Sequence, residues 1–178
     1  GLCLRYTARF TGQTGLSLSI HKGAFMVVTL FPDGIPCVVK EETDLSFLHR
    51  WGRVFRVFDR QDSGNLCFGL EREGRRYFLK YTGARPLCFD GEPSEAVRLL
   101  EKSAQVIRDL AHPALLPLLW DGPVAGGYAL LFPWTDALCM GKQYPTRAAF
   151  LALPVEKKLA VFQAVLAFHR HVAERGYV

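Results

Sequence analysis

Short apolar runs separated by polar breaks fill the first two thirds of the chain, and helical spacing takes over afterwards. Residues 25–30 and 35–40 are β-rich runs joined by Phe31-Pro32-Asp33-Gly34, a hairpin signal. Pro32 and Pro36 push both runs toward a sheet edge. Residues 44–50 read as a linker or one helical turn. From Trp51 the pattern sharpens. Val54, Phe55, Val57 and Phe58 form one strand, residues 66–71 a second and residues 75–81 a third, with breaks at 59–65 and at Glu73-Gly74. This is the spacing of an antiparallel meander. A helix follows, with Ser94 as its N-cap. Ala96, Leu99, Leu100, Val106, Ile107 and Leu110 lie on its apolar face, and His112-Pro113 ends it. Residues 115–120 predict a fourth strand, 122–127 a turn and 128–132 a fifth strand. After a connector, a helix over 154–175 carries Leu159, Phe162, Val165, Leu166, Phe168 and His169 on its apolar side.

The predicted order is βββ-α-ββ, connector, helix. It gives an α+β fold: a five-stranded antiparallel sheet with one packed helix, then the first helices of a mainly helical lobe. Residues 1–44 form an extension with one possible β-hairpin.

Composition narrows the function classes. Hydrophobic residues make up 49% of 178, including 13 Phe, 6 Tyr and 3 Trp, so the chain can bury a largely aromatic core. The formal charge is +5, which suits an anionic ligand. No long Lys/Arg block appears, and nucleic-acid binding is not expected. No apolar run is long enough to cross a bilayer and no signal peptide is visible. The five cysteines are scattered, with no CxxC pair and no Cys/His ligand spacing. Structural zinc is therefore not expected, and free thiols fit a reducing, cytoplasmic setting. Gly1 in place of Met, and a helix capped by Gly176 just before Tyr177-Val178, predict that both ends are truncations.

Within this frame, Lys80 is a lysine flanked by apolar residues on the third strand. Such a lysine either contacts phosphate or is solvated at a strand edge. Asp62, Ser63, Gly64 and Asn65 close the first turn. They either offer backbone N–H groups to an anion or make an ordinary hairpin turn. His169 and His171 are two apart and fall on different helix faces, so no metal site is read there. No residue set inside the chain serves as a metal centre, a Ser-His-Asp triad or a pair of acid/base carboxylates.

The order of elements, Phe78-Leu79-Lys80, the run from Leu110 through His112-Pro113 to Leu116, the run from Ala129 to Trp134, and the last helix running into Arg175-Gly176-Tyr177-Val178 together resemble a protein-kinase-like chain. The likeness covers about residues 51–178 and is nearer to divergent bacterial Ser/Thr kinases than to typical eukaryotic ones. It implies a small lobe over 45–133, and a hinge with the first large-lobe helices over 134–178. It also implies ATP and Mg²⁺ as cofactors, with the metal ligands and catalytic loop falling after Val178, and a protein Ser/Thr substrate. By this resemblance Lys80 holds phosphates and residues 62–65 cover them. Cys67 and Phe78 line the adenine, Leu131 is the gatekeeper, and Phe132, Pro133 and Trp134 form the hinge.

Several positions depart from the family pattern. The loop has one glycine instead of three. Phe78 stands where the family usually has Ala, and Pro133 removes one hinge N–H. The family spacing puts Ser103 where a glutamate pairs with the lysine. Glu95, at the edge of the packing face, is the better partner for Lys80 than Glu101, which points away; the alternative is that both are surface charges. These departures keep open a pseudokinase that binds without catalysis, and a small-molecule phosphotransferase of the aminoglycoside-kinase type. The fragment alone is expected to be inactive.

Overall fold

The computed structural model describes residues 3–8, 16–17, 25–137 and 146–177. Cys139 and Val178 lie outside these described residues. The chain forms two compact units. The first joins the described residues up to Gln105 with Pro117–Trp134; the second joins Val106–Leu116 with the described residues from Thr135 onward.

The first unit holds two sheets. In the smaller one, β1 (Cys3–Ala8), β2 (Leu16–Ser17), β3 (Phe25–Leu30) and β4 (Cys37–Val39) lie in the order β2-β1-β3-β4. The expected hairpin is present as β3 and β4, with Val28 opposite Val39 and Leu30 opposite Cys37. Its turn is a single 3₁₀ turn, Pro32–Gly34, in which Asp33 and Gly34 are both left-handed. The parallel pairing of β1 with β3 has no counterpart in the sequence pattern.

The larger sheet contains β5 (Arg53–Phe58), β6 (Asn65–Arg72), β7 (Arg75–Thr82), β8 (Trp120–Val124) and β9 (Gly127–Pro133), in the order β5-β6-β7-β9-β8. Every neighbouring pair is antiparallel. Two hairpins set its register. Glu73-Gly74 and Ala125-Gly126 each place two consecutive residues at positive φ, which matches the twist that two-residue hairpin loops require. The second hairpin corrects the sequence reading. Residues 115–119 are not a strand, and β8 instead runs through Gly122 and Pro123, which had read as a turn. An edge strand tolerates proline because one row of its N–H groups has no ladder partner.

Strand alternation sorts the sheet into two faces. Leu66, Phe68 and Leu70 of β6, Leu79 and Tyr81 of β7, and Ala129 and Leu131 of β9 are buried in one cluster. Val28, Cys37 and Val39 of the hairpin, Leu45, Leu48 and Trp51 share that cluster. The linker of residues 44–50 is in fact a 3₁₀ turn, Ser46–Arg50, which delivers Leu48 to the cluster. Two carboxylates stitch the sheets together. Asp33 Oδ2 accepts the Val54 N–H and Asp59 Oδ2 accepts the Val38 N–H, each at 2.7 Å. The first of these occupies a backbone donor on the edge strand β5, which would otherwise be open to pairing.

Helix α1 (Pro93–Leu110) begins with Pro at its first position, a placement that costs no intrahelical hydrogen bond. Glu92 supplies the first accepting carbonyl, to Glu95 and Ala96, so Ser94 lies inside the first turn and is not the cap. Its buried stripe in the first unit is Ala96, Leu100 and Ala104, whereas Leu99 is 51% exposed. The helix is thus rotated away from the face expected from its leucines.

The second unit contains the end of α1, α2 (Thr146–Leu151) and α3 (Val155–Glu174). The last carbonyls of α1 have no intrahelical partner, and α3 together with the residues just after it caps them. Arg175 donates to the Asp109 carbonyl at 2.8 Å, and His171 Nε2 meets the Leu110 carbonyl at 3.2 Å. The Tyr177 hydroxyl donates to the Asp109 carboxylate. His171, and not the exposed His169, turns toward α1, its ring 4.8 Å from that of His112. Leu159, Phe162 and Leu166 of α3 are 56–63% exposed.

The rotation of α1 sets a direct comparison. Leu100→Ala is expected to cost about 2–4 kcal/mol through lost burial and a residual cavity, while Leu99→Ala stays within about 0.5 kcal/mol. Chemical denaturation of the two variants measures both; equal losses would contradict the packing described.

Candidate functional site

Lys80 lies on the second face of the larger sheet. It stands opposite Cys67 on β6 and Leu130 on β9, one alternation from Phe78. Both of its cross-strand neighbours are buried, and Lys80 itself is half-buried. Burial pushes the Cys67 thiol up to about 12, against a smaller opposing effect of the Lys80 charge. Cys67 is therefore a small apolar floor beside the ammonium, not a nucleophile.

The expected acidic partner is elsewhere. Glu95 is exposed and lies 3.7 Å from Arg98 on its own helix, and among the described residues Lys80 makes no ion pair. The face that α1 packs inward carries Ala96, Leu100 and Ala104, none of them acidic. Ser103, at the family's glutamate spacing, is exposed and donates its hydroxyl back to the Leu99 carbonyl at 2.8 Å.

Toward β5 the same face is filled by rings. Trp134 lies 4.9 Å from Phe55 and 6.5 Å from both Phe58 and Phe78, and Phe78 lies 6.1 Å from Phe58 and 6.5 Å from Phe132. Gly69 makes this possible. A methyl group there would come within 2.7 Å of Phe55 and 3.0 Å of Trp134. The guanidinium of Arg76 lies 4.9 Å from the Phe55 ring centre, and that of Arg56 lies 5.1 Å from Phe58. Phe78 thus fills space on this face with its neighbours' help. At the end of β9, Pro133 has no N–H, and the Trp134 N–H is donated to the Arg76 carbonyl at 3.0 Å. Leu131 lies on the opposite face from Lys80, inside the main core. The β9 residues opposite Lys80 and Phe78 on that face are Leu130 and Phe132.

The loop Asp62, Ser63, Gly64 and Asn65 is half solvent and half core. Asp62 and Ser63 are exposed, Gly64 and Asn65 buried. Asn65 Nδ2 donates to the Ser63 carbonyl at 3.1 Å and to its hydroxyl at 2.6 Å, closing the loop on itself. Gly64 has φ +74°, and a methyl group there would meet Ala96 Cβ at 2.8 Å and the Phe89 ring at 2.9 Å. The glycine serves both a left-handed turn and close packing on α1.

The sequence reading missed Phe55, Phe58, Gly69, Phe89 and Leu130. A glycine inside an otherwise apolar strand is a signal of close approach, and Gly69 carried it. Among the described residues no group of three or more His, Cys, Asp or Glu side chains gathers to hold a metal, and no helix is long and apolar enough to cross a membrane. The chain matches no protein family, no curated protein and no solved structure.

Two outcomes test this description. In the native protein at pH 8, iodoacetamide is expected to label exposed Cys88 well before Cys37 and Cys67, whose thiols burial pushes up to about 12. Peptide mass mapping reads this, and early labelling of Cys67 would contradict its enclosure. Gly64→Ala combines a left-handed φ with two clashes and is expected to cost more than about 2 kcal/mol. Gly126→Ala, with open space around it, is expected to cost about 1 kcal/mol. Thermal melts rank the pair.

Proposed function

We propose that this chain is the nucleotide-binding front of a protein-kinase-like, ATP-dependent phosphotransferase acting on protein Ser/Thr, with the catalytic loop and Mg²⁺ ligands supplied by chain beyond residue 178. One observation carries the reading. Lys80 stands on the central strand of a five-stranded antiparallel sheet built in the order βββ-α-ββ, half-buried and without an ion-pair partner among the described residues. A half-buried ammonium is stabilised by an anion, and a strand lysine in this position suits the α- and β-phosphates. Ser63 and the backbone of residues 62–65 lie at the β5–β6 turn, where they would cover those phosphates. Phe78, Phe132 and Trp134 would form the apolar wall for the base. In this reading the chain's own residues bind and orient the nucleotide and exclude water from it; transfer requires the groups that follow.

A second reading, a binding module without catalysis, has its own support. The inward face of α1 carries no carboxylate for Lys80, the ring cluster fills the wall where a base would lie, and the Trp134 N–H is already used by Arg76.

The test uses the protein expressed from its whole reading frame. MgATP at 100 times its Kd is expected to add about 2.7 kcal/mol of stability, and Lys80→Met to weaken MgATP binding at least about tenfold, the effect of losing one charged phosphate contact. Transfer of the γ-phosphate to a protein substrate, and not to hydroxylated small molecules, would establish the protein-kinase reading over the aminoglycoside-kinase type. Binding without transfer would favour the non-catalytic module. Absence of any stabilisation by nucleotide would overturn the nucleotide reading.

A further inference from the structure

Lys40 belongs to the N-terminal extension, yet its side chain ends at Phe89 and Asp90, in the turn that leads into α1. Strand β4 stops at Val39, which bridges to Pro86, and the Lys40 N–H donates to the Arg85 carbonyl at 2.8 Å. The extension thereby runs alongside the segment that leads into α1. From there the Lys40 stem turns inward. Its side chain is only 14% exposed, and its Nζ donates to the Phe89 carbonyl at 2.6 Å and to Asp90 Oδ1 at 2.7 Å. The stem is enclosed while the ammonium reaches Asp90, whose side chain is 96% exposed, so the bond to the Phe89 carbonyl is the part-buried one of the two. Two donors of the ammonium hold consecutive residues of the 86–90 turn, which also closes through a Phe89 N–H to Pro86 carbonyl bond of 3.1 Å.

The ring of Phe89 carries this restraint onward. It lies against Gly64, where a methyl group would approach it to 2.9 Å, and against Gly91, where the approach would be 2.5 Å. Ala96 closes the other side of Gly64. Glycine at both positions and alanine on the helix make room for one ring, and that ring fixes the apex of the loop. The remaining loop residues follow from the apex, since Asn65 binds back to Ser63. Arg85 also pairs with Glu41 at 3.6 Å and with Glu92 at 3.3 Å through side chains 41–71% exposed; these pairs, like the contact of Lys40 with the 96% exposed Asp90, contribute little beside the bond to the Phe89 carbonyl.

We propose that Lys40 is a positioning residue for the loop of residues 62–65: by holding the Phe89 carbonyl it keeps the Phe89 ring on Gly64, and the N-terminal extension thereby sets the shape of the loop. That the loop so shaped receives phosphate rests on the nucleotide reading given above; that Lys40 shapes it does not.

The test compares Lys40→Met, which keeps the stem and removes the donors, with Lys40→Arg, which keeps charge and donors, in the full protein. Hydrogen exchange is expected to quicken about tenfold or more in peptides covering residues 62–66 and 86–91 of Lys40→Met, with β7 unchanged, because only a local opening is released. Lys40→Arg restores most of the protection. MgATP affinity is expected to fall about five- to tenfold in Lys40→Met while adenosine affinity stays the same, since only the phosphates meet the loop. Faster exchange spread evenly over β6 and β7 would mean that Lys40 merely stabilises the unit, and would overturn the proposal; so would unchanged exchange at 62–66. If the native protein binds no MgATP, the nucleotide reading fails and the exchange result alone decides the role of Lys40. Should Lys40→Met not fold, Phe89→Leu keeps the Lys40 bond and shrinks the ring. It must then loosen residues 62–66 selectively, and its failure to do so would equally overturn the proposal.

Discussion

Strand β6 is buried on both of its faces, and the arrangement of the first unit follows from that constraint. Asn65 through Leu70 are all enclosed, so each face of the sheet needs a cover of its own. The hairpin β3–β4 and the turn that carries Leu48 cover one face, with Phe68, Leu70 and Leu79 excluded from water among them. Among the described residues no second sheet covers the other face. Near β5 it is covered by its own aromatic side chains, which close over Gly69. At the loop, α1 closes over Gly64 through Ala96. The N-terminal extension accordingly contributes Val28, Cys37 and Val39 to the main core. At two buried glycines on or beside β6, rings and helix come close to the backbone.

The same constraint shapes the candidate site. A face roofed by Phe55, Phe58, Phe78 and Trp134 is stable because the rings meet edge-on, tilted and, for Phe58 with Trp134, stacked, with guanidinium groups over Phe55 and Phe58. On the same face Lys80 stands opposite the buried thiol of Cys67. Apolar residues on the inward stripe of α1 stabilise the helix against the sheet and remove the carboxylate that a catalytic lysine would use. Under the proposed nucleotide reading, packing and phosphate binding would draw on the same positions, and on α1 packing has them. The loop shows the same competition, since its one glycine serves the fold as a seat for Phe89 and Ala96.

Much of the architecture was legible in the residues. The hairpin at residues 25–40, the meander, the long helix ended by His112-Pro113 and the final helix all have local causes, in alternation, turn chemistry and helical spacing. The exceptions also have causes. Residues 115–119 are apolar enough for a strand, but the sheet edge is taken by the segment that the Ala125-Gly126 turn folds back, Pro123 included. Leu99 fits the periodic pattern as well as Leu100 does, and only the small side chains at Ala96 and Ala104 decide which stripe can approach closely. In the candidate site, strand alternation places Lys80, Cys67 and Phe78 on one face, whereas Leu131 pairs with Leu79 and therefore lies on the other.

The sequence by itself determined the element order, the antiparallel character of the larger sheet and the strand that carries Lys80, because periodicity and turn residues act over a few neighbours. It did not determine the pairing of β1 with β3, the rotation of α1, the ring cluster over Gly69 or the reach of Lys40 to Phe89. Those depend on which surfaces, far apart in the chain, find shape and hydrogen-bond partners in one another, and only the tertiary structure decides that.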